Sequence, residues 1–256
     1  MLKKERQMYI LDRVEKDGRA ITNDLVKELS VAEDTIRKDF QELSAKGLVK
    51  RIHGGVLRIE KKISAFDDRI IQYASIKQAL AEKTLELINN KKVLYIDGGT
   101  TNLKLAECLA KNYTGTVITN SPAIALVLCA NKNIGINLIG GQLENTTQII
   151  KGTSAIKQIQ EINIECCILG VSSLSLESGI TFPSYEEAIL KKEVINRSKQ
   201  IIVIANKEKL ETAATFFADD ISVIMMLITN EMNENILRNY SQKGIQIITQ
   251  SIDLLK

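Results

Sequence analysis

The chain has no tryptophan, and only 4% of its residues are aromatic. Its core must therefore be built from Ile, Leu, Val and Ala. There is a single histidine, His53, and none of the four cysteines (Cys108, Cys129, Cys166, Cys167) stands in a C-x-x-C pair. Metal sites need clustered Cys and His ligands, so no metal is expected. Cys166 and Cys167 adjoin within the apolar run "ECCILG". Neighbouring strand residues point to opposite faces, which makes them buried thiols. No run of about 18 apolar residues occurs, so no membrane-spanning helix is expected. The opening "MLKKERQMYI" is charged where a secretion signal would be apolar, and a cytoplasmic protein is the expectation.

Strong charge of one sign is also missing: the net charge is +3 over 256 residues. With 45% apolar and 25% charged residues, the composition is that of an ordinary soluble globular protein, not a disordered one. The length suits two domains, or one large α/β domain.

What is present begins with helical periodicity. Met8, Ile10, Leu11 and Val14 mark a first helix that "KDGR" ends at Gly18. A second helix follows, capped by Thr22 or Asn23, with Leu25, Val26 and Leu29 inside. A third is "AEDTIRKDFQELSAKG", whose inner stripe is Ile36, Phe40 and Leu43, at i, i+4 and i+7. Thr35, Arg37 and Lys38 are left outside. The period then changes. "LVKRIHGGVLRI" has strand character on each side of Gly54-Gly55, predicting a two-strand hairpin. Three short helices and a hairpin make a winged helix-turn-helix, whose third helix fits a DNA major groove about 12 Å wide. Charge agrees: residues 43–62 hold Lys46, Lys50, Arg51, Arg58, Lys61 and Lys62 against Glu60 alone, 6 − 1 = +5. Such a patch on a near-neutral chain suits phosphate contacts with double-stranded DNA.

"TIRKDFQELSAKGLVKRIHGGV" resembles the helix-turn-helix of the DeoR family of transcriptional regulators. The resemblance implies that Thr35, Arg37 and Lys38 face DNA. It also places a wing at "KRIHGG", with Lys50, Arg51, His53 and Gly54 holding the backbone. Ala32 departs from the family, which commonly starts this helix with Ser. Ser30 or Asp34 compensates for the missing cap, or a phosphate contact is lost. Asp39 has the wrong charge for phosphate, so a structural ion pair is its expected role.

Residues 58–74 mix charges with few periodic apolar positions and read as a linker between domains at 1–57 and 75–256. From residue 93, apolar runs of about five residues alternate with helices: "VLYID", "TVITN", "INLIG", "ECCILG", "QIIVIAN", "VIMMLIT" and "IQIIT". That rhythm predicts an α/β domain with a mainly parallel sheet covered on both faces. Ligands of such sheets sit at the carboxyl ends of the strands. There the chain places Asp97-Gly98-Gly99-Thr100-Thr101, Thr119-Asn120-Ser121, Gly140-Gly141, and Asn206 with Lys207 and Lys209. Glycine turns opening helices are cradles for a phosphate or other anion. No P-loop or dinucleotide fingerprint is present, and no cofactor is expected.

The resemblance to the DeoR family continues through "YIDGGTTNLKLAECL", "VITNSPAIA", "LIGGQL", "EEAILKK" and "VIANKEKL". It implies a sensor domain related in fold to ribose-5-phosphate isomerase and glucosamine-6-phosphate deaminase. It further implies a phosphorylated sugar as effector, a homo-oligomer (dimer or tetramer), and a repressor of a carbohydrate operon. Gly99, Thr100 and Thr101 would cradle the phosphate. Asp97, Asn120, Gly141, Glu187, Lys191 and Lys209 would complete the pocket or its support. Three departures stand out: Gly98 where the family has Ser, Asn206 where it has Asp, and the serine-rich stretch Ser172, Ser173 and Ser175.

Two alternatives compete. One is an active sugar-phosphate isomerase or deaminase with a DNA-binding head. It needs a positioned base, yet no His lies beyond residue 53, and Glu187 with Lys191 reads as an i,i+4 helix pair. The other is a partner-binding module without a small ligand, which the clustered glycine turns disfavour.

Overall fold

The computed structural model describes residues 3–45, 48–52, 54–58, 65–88 and 90–251. The chain divides into two compact units between residues 62 and 63.

The first unit runs α1 (Lys3–Asp17), β1 (Arg19–Ile21), α2 (Thr22–Leu29), α3 (Glu33–Ala45), β2 (Val49–Ile52) and β3 (Gly55–Arg58). The three strands form an antiparallel sheet in the order β1-β3-β2. The hairpin expected from the sequence thus gains a third strand. "RAI" is too short to show alternation and takes its conformation from pairing with β3. Ile10, Val14, Leu25, Ile36, Phe40, Leu43 and Val56 make the core. Burying each such side chain contributes about 1.5–3 kcal/mol. Met8, expected inside, is exposed.

Polar contacts lock this unit. Asp39 is buried and takes a short ion pair from Arg6 and a 3.2 Å hydrogen bond from Gln7 Nε2, so its role is structural. Neither Thr22 nor Asn23 caps α2: Ile21 stands at its N-cap without a side-chain bond. The Thr22 hydroxyl instead donates to Gly54 O at 2.9 Å, tying α2 to the hairpin turn. The carbonyl of Ala32 accepts from the N–H groups of Thr35 and Ile36, which puts Ala32 at the N-cap of α3. Ser30 does not compensate, because it is the left-handed C-cap of α2. Glu33 and Asp34 set acids at the positive end of the helix, yet no Ala32 side-chain oxygen meets the first-turn N–H groups. Ala32→Ser is therefore expected to stabilise the first unit by about 1 kcal/mol. An unchanged urea midpoint would show that the first-turn acids already suffice.

The second unit runs α4 (Phe66–Ile71), α5 (Ala74–Ile88), β4 (Val93–Ile96), α6 (Thr100–Asn112), β5 (Gly115–Thr119), α7 (Pro122–Leu128), β6 (Ile134–Leu138), β7 (Gln142–Leu143), β8 (Ile150–Lys151) and α8 (Thr153–Gln160). It continues with β9 (Ile164–Leu169), β10 (Ser173–Ser175), β11 (Gly179–Phe182), α9 (Tyr185–Asn196), β12 (Ser198–Ala205), β13 (Phe216–Asp219), β14 (Met226–Thr229), α10 (Glu234–Gln242) and β15 (Gln246–Thr249). Helix α4 lies within the span expected to be linker. Its charged residues hid one apolar anchor, Phe66, which is buried in the core of this unit.

Seven strands form one sheet in the order β15-β14-β12-β9-β4-β5-β6, every pair parallel. The seven apolar runs of the sequence are these strands. Helices cover both faces, giving two cores: Tyr95, Cys167 and Val203 belong to one, and Leu94, Cys166 and Ile202 to the other. Cys166 and Cys167 are thus buried on opposite faces, and burial pushes both thiols up, Cys166 to about 11. The hairpin β7–β8 and the small sheet β10-β11-β13 were not expected, since their strands are too short to carry a pattern.

The strand order reverses between β4 and β9. From β4 the chain moves outward through β5 to β6; from β9 it moves the other way through β12 and β14 to β15. In open α/β sheets the loops leaving the two strands at such a reversal part and form a crevice at their carboxyl ends.

Candidate functional site

In the first unit, Arg37 and Lys38 are exposed on α3 and Thr35 is half-buried. The buried stripe Ile36, Phe40 and Leu43 turns these three outward. Arg37 Nη2 lies 2.6 Å from Glu33 Oε1, one turn back. Such an exposed pair contributes about 0–1 kcal/mol and yields easily to another anion. Lys50 and Arg51 are exposed on β2, and Gly54, at φ +80°, makes the turn into β3. His53, with Lys46, Glu60, Lys61 and Lys62 of the basic segment, lies outside the described residues. A cleft of about 280 Å³ between α1, β1 and α2 is lined by Arg13, Asp17, Asp24 and Glu28. Arg13 is paired there with Asp17 and Glu28, and with Arg19 also in the lining the charge is 2 − 3 = −1, which does not suit a nucleic acid.

In the second unit, the loops after β4 and β9 meet at the sheet's reversal. A small cavity there is lined by Gly98 and Gly99 after β4, Ser172 after β9, Thr147 and Ile149 before β8, Pro183 and Glu187 at α9, and Arg69 of α4. Gly99 stands at the N-cap of α6 with φ +147° and no side-chain cap. A helix start carries N–H groups without intrahelical partners and a partial positive charge. Thr100 and Thr101 form this first turn, each 7% exposed. Asn120 is fully buried; its Oδ1 accepts from the Gly98 N–H at 2.9 Å, and its Nδ2 has no partner among the described residues.

Asp97 supports the loops rather than facing the cavity. Both its oxygens lie 2.5 Å from Lys191 Nζ, and Oδ2 also accepts from Gly170 N–H at 2.9 Å. It therefore ties the end of β4 to the end of β9 and to α9. The expected Glu187–Lys191 helix pair is secondary: that contact is 3.9 Å, because Lys191 points to Asp97. Glu187 instead joins the cavity wall, where burial pushes its carboxyl up. Lys209 Nζ donates to Val171 O at 2.6 Å, next to Ser172. Gly141 is not part of the lining; a Cβ there would come 2.8 Å from Lys151 O, so its absence serves the hairpin. Asn206 is buried with Oδ1 unpartnered among the described residues.

Four residues escaped the sequence reading. Asn102 Nδ2 donates to Asp97 O at 2.8 Å and Ile168 O at 3.2 Å, stapling α6 across both strands. Its position directly after "GGTT" was the available signal. Arg69 stacks on Phe66 at 5.7 Å and reaches Thr146 O at 3.5 Å; the Phe66-Arg69 spacing of one helical turn was its signal. Lys77 Nζ donates to Arg69 O, and Thr147 arrives through the hairpin. Neither carried a local mark.

The electrostatics favour an anion. Asp97 takes up Lys191, and Lys151 lies 3.5 Å from Glu144. Lys151 lies closer still to Glu186, at 2.8 Å, so Arg69, Lys77 and Lys209 stand against Glu187 and Glu144, 3 − 2 = +1. Burial and the neighbouring cations lower Lys77 and Lys209 to about 8 each, and burial lowers Arg69. Among the described residues, no group of three His, Cys, Asp or Glu could hold a metal, and no helix is long and apolar enough to cross a membrane.

Comparison with known proteins bears on both units. The family model for the DeoR-like helix-turn-helix domain matches residues 6–62, and that for the DeoR C terminal sensor domain matches residues 72–231. The HTH-type transcriptional regulator GlpR of Haloferax volcanii is 30% identical, over 82% of this chain and 83% of its own. The HTH-type transcriptional repressor GlcR of Bacillus subtilis is 27% identical over 99% and 98%. The glycerol-3-phosphate regulon repressor of Escherichia coli is 27% identical over 90% and 92%. Among solved structures, ribose 5 phosphate isomerase A from Neisseria gonorrhoeae is 16% identical with a TM-score of 0.38, covering 53% of each chain.

Proposed function

The chain belongs to the DeoR family of helix-turn-helix transcriptional regulators, and we propose that it is a cytoplasmic repressor of a carbohydrate operon, released from double-stranded operator DNA by a phosphorylated sugar. One observation carries the effector half. Arg69, one of a group of cations in net excess, shares a cavity with the uncapped start of α6 at the reversal of the sheet. A phosphate monoester brings about −1.5 to −2 near pH 7, and helix starts bind such anions through backbone N–H groups. In this reading Gly99, Thr100 and Thr101 hold the phosphate, and Lys209 supplies charge. Asn120 offers its unpartnered amide N–H to the ligand, while Asp97 and Lys191 hold the loops.

The output half rests on α3, with Thr35, Arg37 and Lys38 reading bases while Lys50, Arg51, His53 and Gly54 hold the backbone. Two heads on repeated half-sites require a homo-oligomer. The effector acts by binding the DNA-competent and DNA-incompetent states with different affinity. Arg37→Ala is expected to weaken operator binding by about 1–3 kcal/mol and to leave sugar-phosphate binding unchanged. Thr100→Ala combined with Lys209→Ala is expected to abolish release by sugar phosphates while operator binding persists. Gel shifts with promoter DNA, with and without a sugar-phosphate panel, read both. Intact operator affinity in Arg37→Ala would sink the assignment of α3.

A second reading, catalysis on the bound sugar phosphate, is favoured by Glu187, a buried cavity carboxylate pushed up in pKa as acid–base catalysts are. We place it second because Asp97, the other carboxylate of the site, is taken up by Lys191 and Gly170. Turnover of any member of the panel would reverse that order.

A further inference from the structure

The cavity at the sheet's reversal has a volume of about 30 Å³, room for about two or three water molecules. Small-ligand sites are about tenfold larger, so one wall must move to admit a sugar phosphate. Most walls are pinned. Gly98 is held to Asn120, Gly170 to Asp97, and α9 to Asp97 through Lys191. The wall formed by α4 is different. It has six residues, held by buried Phe66, half-buried Ile70 and the bond from Lys77 Nζ to Arg69 O, with no ion pair among the described residues. Its Arg69 reaches the opposite side only by a 3.5 Å contact with Thr146 O, the outer limit of a hydrogen bond. Arg69 Nε is buried without a partner among the described residues. A buried donor left unmade costs about 1–3 kcal/mol, more when charged, and a phosphate oxygen would satisfy it.

Taking the sugar-phosphate reading as its basis, we infer that Arg69 is a ligand contact carried on a movable wall: α4 swings out to admit the ligand and closes with the guanidinium forked onto the phosphate. The chemistry suits this residue. A guanidinium presents parallel N–H donors that match two phosphate oxygens, which the ammonium of Lys77 or Lys209 does not. The anion also relieves the crowding of Arg69, Lys77 and Lys209. Lys77 Nζ, bonded to Arg69 O, passes the position of α4 to α5. A merely structural Arg69, stacked on Phe66, would do none of this.

The test uses the full chain with glucose 6-phosphate, glycerol 3-phosphate and inorganic phosphate as calorimetric probes, and amide exchange over residues 66–71. Arg69→Gln is expected to weaken a probe that the wild type binds by about 10- to 150-fold, the loss of a charge-assisted hydrogen bond. Arg69→Lys should lie between. In the wild type, exchange in α4 should slow when the probe binds, an arm that decides the matter even if Arg69→Gln fails to fold. Unchanged probe affinity in Arg69→Gln, or unchanged α4 exchange under a probe that binds, overturns the role of Arg69 alone. Failure of the wild type to bind any probe overturns the sugar-phosphate reading itself and this inference with it.

Discussion

Lys191→Met is expected to lower the stability of the second unit by about 3–5 kcal/mol. Lys191 is 1% exposed and Asp97 is fully buried, and the ammonium lies 2.5 Å from both carboxylate oxygens. Removing the lysine leaves a buried carboxylate with one backbone N–H, that of Gly170, for company. No other cation pairs with Asp97 among the described residues, and the side chain next nearest to the ammonium is Glu187, an acid. Methionine matches the lysine stem and lacks only the terminal ammonium, so the loss reports chiefly the charge and its hydrogen bonds. The double variant Asp97→Asn with Lys191→Met should recover most of the loss, since it removes both charges and keeps an acceptor for Gly170. Urea unfolding followed by tyrosine fluorescence suits the test, as Tyr95 and Tyr240 are buried in this unit and the chain has no tryptophan. If the double variant is no more stable than Lys191→Met, the pair is not what holds β4, β9 and α9 together.

Gly98→Ser, which restores the residue usual in the family, is expected to damage this protein. A Cβ at Gly98 would stand 2.2 Å from Ile149 Cγ2, well inside contact. Ile149 is 2% exposed and β-branched, so its methyl cannot swing aside at χ1 without strain. Overpacking of this kind costs about 1–3 kcal/mol. The displaced Ile149 is itself a cavity wall, and the response to sugar phosphates should fall with stability while operator binding persists. Ile149→Ala in the same chain makes room and should return part of both. A Gly98→Ser protein with wild-type stability and response would show that the loop absorbs the methylene freely. Gly98 is therefore one half of a steric pair with Ile149, a relation invisible when position 98 is read alone.

Much of the protein was legible in advance because it is local. The spacing of Ile36, Phe40 and Leu43 by itself determines which side of α3 faces inward, and so exposes Arg37 and Lys38. Seven apolar runs in alternation with helices determine a parallel sheet, since strands covered on both faces cannot alternate in polarity. Adjacent Cys166 and Cys167 had to face opposite sides, because the strand period is two residues.

Other features depended on partners distant in the chain. Asp97 and Lys191 are 94 residues apart, and nothing near either names the other. Arg69 sits in a segment whose charges looked like linker, and only burial of Phe66 shows it to be a wall. The reversal between β4 and β9 decides that the loop at Gly98 and the loop at Ser172 share one cavity. Local periodicity determines that a strand exists. Which strand lies beside it is settled by hydrogen bonds and burial across the whole sheet, and the candidate site is built on that second decision.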